Sequence, residues 1–168
     1  MITLQPTESE LNLAGTVGVL RMIYAVRTGR KRLPGIYEDE AGPIQHVLGA
    51  IAELTLARHL DVFWSGTIGT INAVADVGGC YQVRATDRRN GKLITHKKDN
   101  NDQPFVLAYV LLPDVHLVGW LWGSEAKFPG FWREDVPHPA YFAWPVHEIE
   151  TLPDRATVRA RQRLAATG

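Results

Sequence analysis

Two carboxylates, an amide and a guanidinium stand at Glu53, Asp76, Gln82 and Arg84, the last three within the short stretch DVGGCYQVRAT, residues 76–86. Read as a strand, CYQVRAT alternates: Tyr81, Val83 and Ala85 share one face, Cys80, Gln82, Arg84 and Thr86 the other. The first face suits a core and the second carries chemistry. Whether Asp76 joins it depends on the hairpin turn. A two-residue Gly78–Gly79 loop pairs Asp76 with Tyr81, whereas a three-residue loop of Val77, Gly78 and Gly79 pairs it with Cys80 and sets it beside Gln82 and Arg84. We take the second register. Asp76, Gln82, Arg84 and a helical Glu53 then converge at one edge of a sheet. Two carboxylates and an amide oxygen are hard donors that suit Mg2+ or Mn2+ rather than zinc. Such an ion polarises a phosphodiester and activates a water to attack phosphorus, while a nearby cation stabilises charge developing on the phosphate.

The elements that must position these residues are legible in outline. From about residue 8 to 28, Leu11, Leu13, Val17, Leu20, Ile23, Tyr24 and Val26 recur at helical spacing, and Thr7 with Glu10 forms a capping box. Gly29 ends this helix. The segment to Gly42, with its acidic YEDE, reads as a loop, and Pro43 suits the first turn of a second helix over about 43–60. There Ile44, Val47, Leu48, Ile51, Leu54 and Thr55 form one stripe, and Glu53 lies on the other side with Gly49, Leu56, Ala57 and Leu60. Both faces look partly buried, so Glu53 must be paired, hydrogen-bonded or holding a metal, and the small Gly49 permits close approach of another element. Strand texture follows from about 67 to 122 in TIGTINAVAD, CYQVRAT, KLITH, FVLAYVLL and VHLVGWLW. HKKDNNDQP reads as a turn in which Asp99 and Asp102 use their side chains locally, not as a metal site. Residues 123–168 read as an irregular, aromatic-rich region ending in a short helix or tail. The expectation is one α/β domain over 1–168, with N-terminal helices packed on a mixed, largely meandering β-sheet.

A helix bearing GAIAEL, then an aspartate, then a strand reading QVRAT resembles the PD-(D/E)XK nuclease superfamily, and the helix-then-sheet order is similar to that of small phage-encoded members. The resemblance spans roughly residues 43–110. It implies a restriction-endonuclease-like core in which Glu53 matches the acid on the helix, Asp76 the metal-binding aspartate, Gln82 the second acidic position and Arg84 the lysine position. It also implies that the backbone carbonyl of Val83 ligates the metal. Two departures stand out: Gln82 offers a neutral carbonyl in place of a carboxylate, and the Arg84 guanidinium cannot deprotonate, although it can hold a phosphate bidentately.

Other chemistries find little support. The six histidines show no metal-ligand spacing, the single Cys80 can build neither a disulfide nor a zinc cage, and no GxSxG, P-loop or dinucleotide fingerprint is present. No export signal or membrane-spanning run is seen, which predicts a cytoplasmic protein without a membrane role. Acidic and basic residues balance at 18 each, yet the stretch from Arg84 to Lys98 is basic. Within it Arg88, Arg89 and Lys92, with Thr86, are candidates for gripping nucleic acid, DNA before RNA. The reading that follows is a Mg2+- or Mn2+-dependent nuclease acting on DNA or RNA. The alternatives are a non-cleaving nucleic-acid or protein binding module of the same fold, and a structural or assembly protein whose aromatic C-terminal segment packs against a second copy as a homo-oligomer.

Overall fold

The computed structural model describes residues 1–29, 41–69 and 75–167, with only the backbone described for 41–43. The described residues form a mixed α/β structure of four α-helices and two sheets. In chain order the elements are β1 (Ile2–Leu4), α1 (Glu8–Arg27), α2 (Ala41–His59), β2 (Gln82–Thr86), β3 (Leu93–Thr95), β4 (Pro104–Leu111), β5 (Asp114–Trp122), α3 (Gly123–Ala126), β6 (Trp132–Arg133), β7 (Ala140–Ala143) and α4 (Arg155–Thr167). Residues 30–40, most of the loop expected between the two helices, and residues 70–74, half of the strand expected over TIGTINAVAD, lie outside the described residues.

The first sheet runs β1-β5-β4-β2 and is mixed: β1, β5 and β4 pair antiparallel, while β2 lies parallel to β4 at the edge. A parallel neighbour needs a crossover, which the chain makes through residues 87–103. This corrects the expected meander. KLITH supplies β3, but β3 leaves for a second sheet of order β3-β7-β6, so the C-terminal region expected to be irregular builds most of a second layer. β4 explains the layering. Its run Phe105 to Val110 is buried without interruption, as in a strand covered on both faces. Val106, Ala108 and Val110 face a core shared with α1 and α2, while Phe105, Leu107 and Tyr109 face a second core with Leu93, Ala126 and Ala143.

α1 begins as its capping box predicts: the Thr7 side chain accepts from Glu10 N, and Thr7 N donates to the Glu10 carboxylate at 2.7 Å. Its buried face is not the large apolar stripe, however. Ala14, Val17 and Gly18 are buried, whereas Leu13 is 55% and Val26 62% exposed. Small residues win that face because the helices touch there: a Cβ at Gly18 would stand 2.5 Å from the Val47 Cα. The close approach expected at Gly49 therefore occurs at Gly18. In α2 both faces are covered, and Ile51 through Ala57 are all buried. No helix among the described residues is long and apolar enough to cross a membrane.

Candidate functional site

The hairpin that carries the site is closed by a three-residue loop, one position later than expected. Val77 and Tyr81 exchange both backbone hydrogen bonds, Val77 N to Tyr81 O at 3.1 Å and Tyr81 N to Val77 O at 3.0 Å. The loop is thus Gly78, Gly79 and Cys80, and both glycines take left-handed φ values of 58° and 68°, which a side chain would disfavour. One step beyond the Val77–Tyr81 pair, Asp76 meets Gln82 rather than Cys80. The sequence reading had the right face by the wrong register. Asp76 Oδ2 accepts hydrogen bonds from the Gln82 side-chain amide and from Val83 N, the latter at 2.9 Å. The alternation of β2 holds: Tyr81 and Val83 are buried in the helix-side core and Ala85 packs against it.

Asp76 is held in an environment that resists its charge. Burial, and then the negative charge of Glu53, push its carboxyl up to about 7, against the opposing pull of the Val83 N–H, Arg84 and Arg21. Glu53 itself, only 5% exposed, is answered by α1. Arg21 donates bidentately to it, Nη1 to Oε1 at 2.6 Å and Nη2 to Oε2 at 2.8 Å, and Trp64 Nε1 donates to Oε2 at 3.0 Å. Arg21 is steadied in turn by donating from Nε to Thr67 O. Sequence reasoning demanded a partner for Glu53 but missed both donors. The signal for Arg21 was available: it falls one helical turn after Val17 and Gly18, on the small-residue face.

Arg84 projects from β2 into a cleft of about 350 Å³ lined by Gln82, Lys98, Asp99, Asn100, Phe105 and Gln162, among others. Its guanidinium lies over the Phe105 ring and donates from Nε to Ile94 O, from Nη1 to Val83 O and from Nη2 to Asp99 Oδ2. Three of its five N–H groups are used, which leaves one on each terminal nitrogen. Asp99 belongs to the turn expected at HKKDNNDQP: it also accepts from His96 N, while Asn100 accepts from Asp102 N. Lys127 donates to the Asp99 carbonyl and fixes the loop from behind.

The structure does not bring the other proposed phosphate contacts to this cleft. Thr86 accepts from Arg88 N in the turn that follows β2, and Arg88 and Arg89 are exposed there. Lys92 rests its ammonium over the Trp144 ring, 4.4 Å from the centroid. At about 3.3 Å per residue these groups begin roughly 13 Å along β2 from Gln82. Lys98 and, from α4, Gln162 stand nearer.

Among the described residues no group of three or more His, Cys, Asp or Glu side chains is arranged to hold a metal ion. The donor set nevertheless fits a magnesium-like ion, which binds through one or two carboxylates and completes its shell with water and substrate phosphate. Asp76 Oδ1 accepts no hydrogen bond among the described residues, and with the Gln82 amide nitrogen turned to Oδ2, the Gln82 oxygen remains free to coordinate. Both Glu53 oxygens already accept hydrogen bonds, so Glu53 bears on the site through its charge. No protein-family model, curated protein or solved structure matches this chain.

Proposed function

We propose that the protein is a Mg2+- or Mn2+-dependent nuclease-like hydrolase with a restriction-endonuclease-like core, acting on phosphodiester bonds of DNA or RNA. The observation that carries this reading is Asp76: a carboxylate crowded against Glu53, partly desolvated, with Gln82 and Arg84 on its own face of the hairpin. Such an arrangement costs stability and is relieved by a cation. When bound, the metal supplies Lewis-acid polarisation of the phosphodiester and a water of lowered pKa. Asp76 and Gln82 would hold it as side-chain ligands, with the Val83 carbonyl as a backbone ligand. Arg84 directs its two remaining N–H groups to a non-bridging phosphate oxygen, and its ties to Ile94, Val83 and Asp99 hold it in place for this. Glu53, fixed by Arg21, keeps the acidity of Asp76 low enough that a proton competes with the metal near neutral pH.

The test is incubation with linear, circular and single-stranded DNA and with RNA, in Mg2+ or Mn2+, beside an EDTA control and Asp76→Ala. Cleavage lost with the metal and with Asp76 supports the reading; equal cleavage by the variant refutes it. One observation favours a second reading, a binding module of the same fold that does not cleave: Arg21 already neutralises Glu53, so a single carboxylate is left for a metal. That module retains nucleic acid in a salt-sensitive way and cleaves none.

A further inference from the structure

The segment of α4 was expected as a short helix or tail; it is a helix, and it forms one wall beside the site. Val158, fully buried, seats it on the helix-side core. Asp154 caps it by accepting from Thr157 N, and the Tyr81 hydroxyl donates to Pro153 O at 2.8 Å, which ties the start of α4 to the hairpin. Farther along, Arg161 donates to Asp102 Oδ1 and to Ser124 and stacks on Trp122. The helix is therefore fixed in rotation. At about 100° per residue, Arg155, Arg159 and Gln162 share one face, between the buried Val158 and the solvent side. Two contacts locate that face. A Cβ on Gly78 would lie 3.6 Å from Arg155 Cδ, and Gln162 lines the cleft with Gly79, Gln82 and Arg84.

Arg159 sits between these two points on the same face, so the row runs along the glycine turn for roughly 10 Å. Arg155 and Arg159 are exposed, and no carboxylate pairs with either among the described residues. Lys98 stands on the cleft wall, exposed and likewise unpaired. Arg161 and Arg84, in contrast, are spoken for by Asp102 and Asp99. Lys98 on the cleft wall, and Arg155 and Arg159 on the α4 face that continues from Gln162 past the glycine turn, form a spaced row of unpaired cations, which matches a run of phosphates rather than one terminal phosphate.

We infer that the α4 face bearing Arg155 and Arg159, with Lys98 on the cleft wall, is a track for the sugar-phosphate backbone of a polynucleotide, which it lays across the Gly78–Gly79 turn beside Asp76. The inference deepens the function proposed above and rests on it for the identity of the polymer, but binding along the track needs no metal. The experiment is fluorescence anisotropy of a labelled 20-nucleotide DNA, single-stranded and duplex, in EDTA over a range of salt. The expected result for Arg155→Ala/Arg159→Ala is an affinity loss of roughly tenfold or more near 0.1 M salt and a salt slope reduced by about 1.8 on the duplex and about 1.4 on the single strand, at about 0.9 and about 0.7 per lost phosphate contact. Lys98→Ala gives a smaller loss, and Arg155→Lys/Arg159→Lys retains most of the affinity.

Thermal melting of each variant checks that the fold is kept, and the Lys98 variant tests the same track without touching α4. Unchanged binding by the double alanine variant overturns the track, as does absence of binding by the wild type in EDTA. An equal loss in Arg88→Ala/Arg89→Ala also overturns it, since diffuse charge then explains the affinity. Cleavage is scored separately: arginine-dependent binding without cleavage keeps the track and removes the hydrolase.

Discussion

Replacing Asp76 by asparagine removes a charge that the folded protein tolerates poorly, yet keeps an oxygen able to accept from Gln82 and Val83. Burial and Glu53 push the Asp76 carboxyl from 3.8 up to about 7. Below about pH 4 the group is protonated whether folded or not, and nothing is lost. Between pH 4 and 7 the unfolded chain ionises it more readily than the folded one, so stability falls as pH rises, and the loss is complete above 7. A rise of about 3 pH units at 1.36 kcal/mol each sets a ceiling of about 4 kcal/mol. Relaxation of a partly buried site brings the expected gain for Asp76→Asn at pH 8 to about 1–3 kcal/mol. For a chain of this size each kcal/mol moves the melting temperature by about 2–4 °C, so the variant should melt roughly 2–12 °C higher. The assay is thermal unfolding of both proteins at pH 8 and pH 5 in EDTA, repeated with Mg2+. At pH 5 the gap should shrink to less than half, and Mg2+ should raise the melting temperature of the wild type alone. A variant no more stable than the wild type at pH 8, or a gap independent of pH, would refute the claim that Asp76 is held against its charge.

Arg21→Ala leaves Glu53 buried without its cation and should cost about 3–5 kcal/mol in urea unfolding, whereas Arg21→Met/Glu53→Leu should cost much less. Gly18→Ala forces a methyl group against the Val47 backbone, and the overpacking should lower the unfolding free energy in urea by about 1–3 kcal/mol. The Thr95 hydroxyl is buried with no hydrogen-bond partner among the described residues, so Thr95→Val should be neutral or stabilising by about 1 kcal/mol; a clear loss on melting would contradict this. Calorimetric titration with Mg2+ should show affinity falling about tenfold per pH unit below 7, as the proton on Asp76 competes with the metal.

Local chemistry was legible and long-range pairing was not. The capping box of Thr7 and Glu10 and the alternation of QVRAT depend on neighbours within a few residues, so both could be read directly. The hairpin register could not, because two adjacent glycines fit several loops. The chain uses both in the left-handed region and adds Cys80, a choice that only the Val77–Tyr81 pairing reveals. The partner of Glu53 was hidden because α1 advertises its large apolar residues while the side it buries is built from Ala14, Gly18 and Arg21. The second sheet escaped notice because β6 and β7 are too short for periodicity to register, and β3, though legible as a strand in KLITH, pairs with β7, which is distant in sequence. The arginines of α4 went unremarked in a segment read only as a short helix or tail, and the buried Val158 is what fixes which way they face.

β4 serves as the common wall of both cores, and this limits how the chain can come apart. Peeling away the second sheet would put Phe105, Leu107 and Tyr109 into water, and lifting off the helices would do the same to Val106, Ala108 and Val110. Neither half can stay dry without the other, so the molecule should melt as one cooperative unit. Amide hydrogens along β4 are then expected to exchange only when the whole chain opens, while those of the turn at residues 87–92 exchange through local fraying.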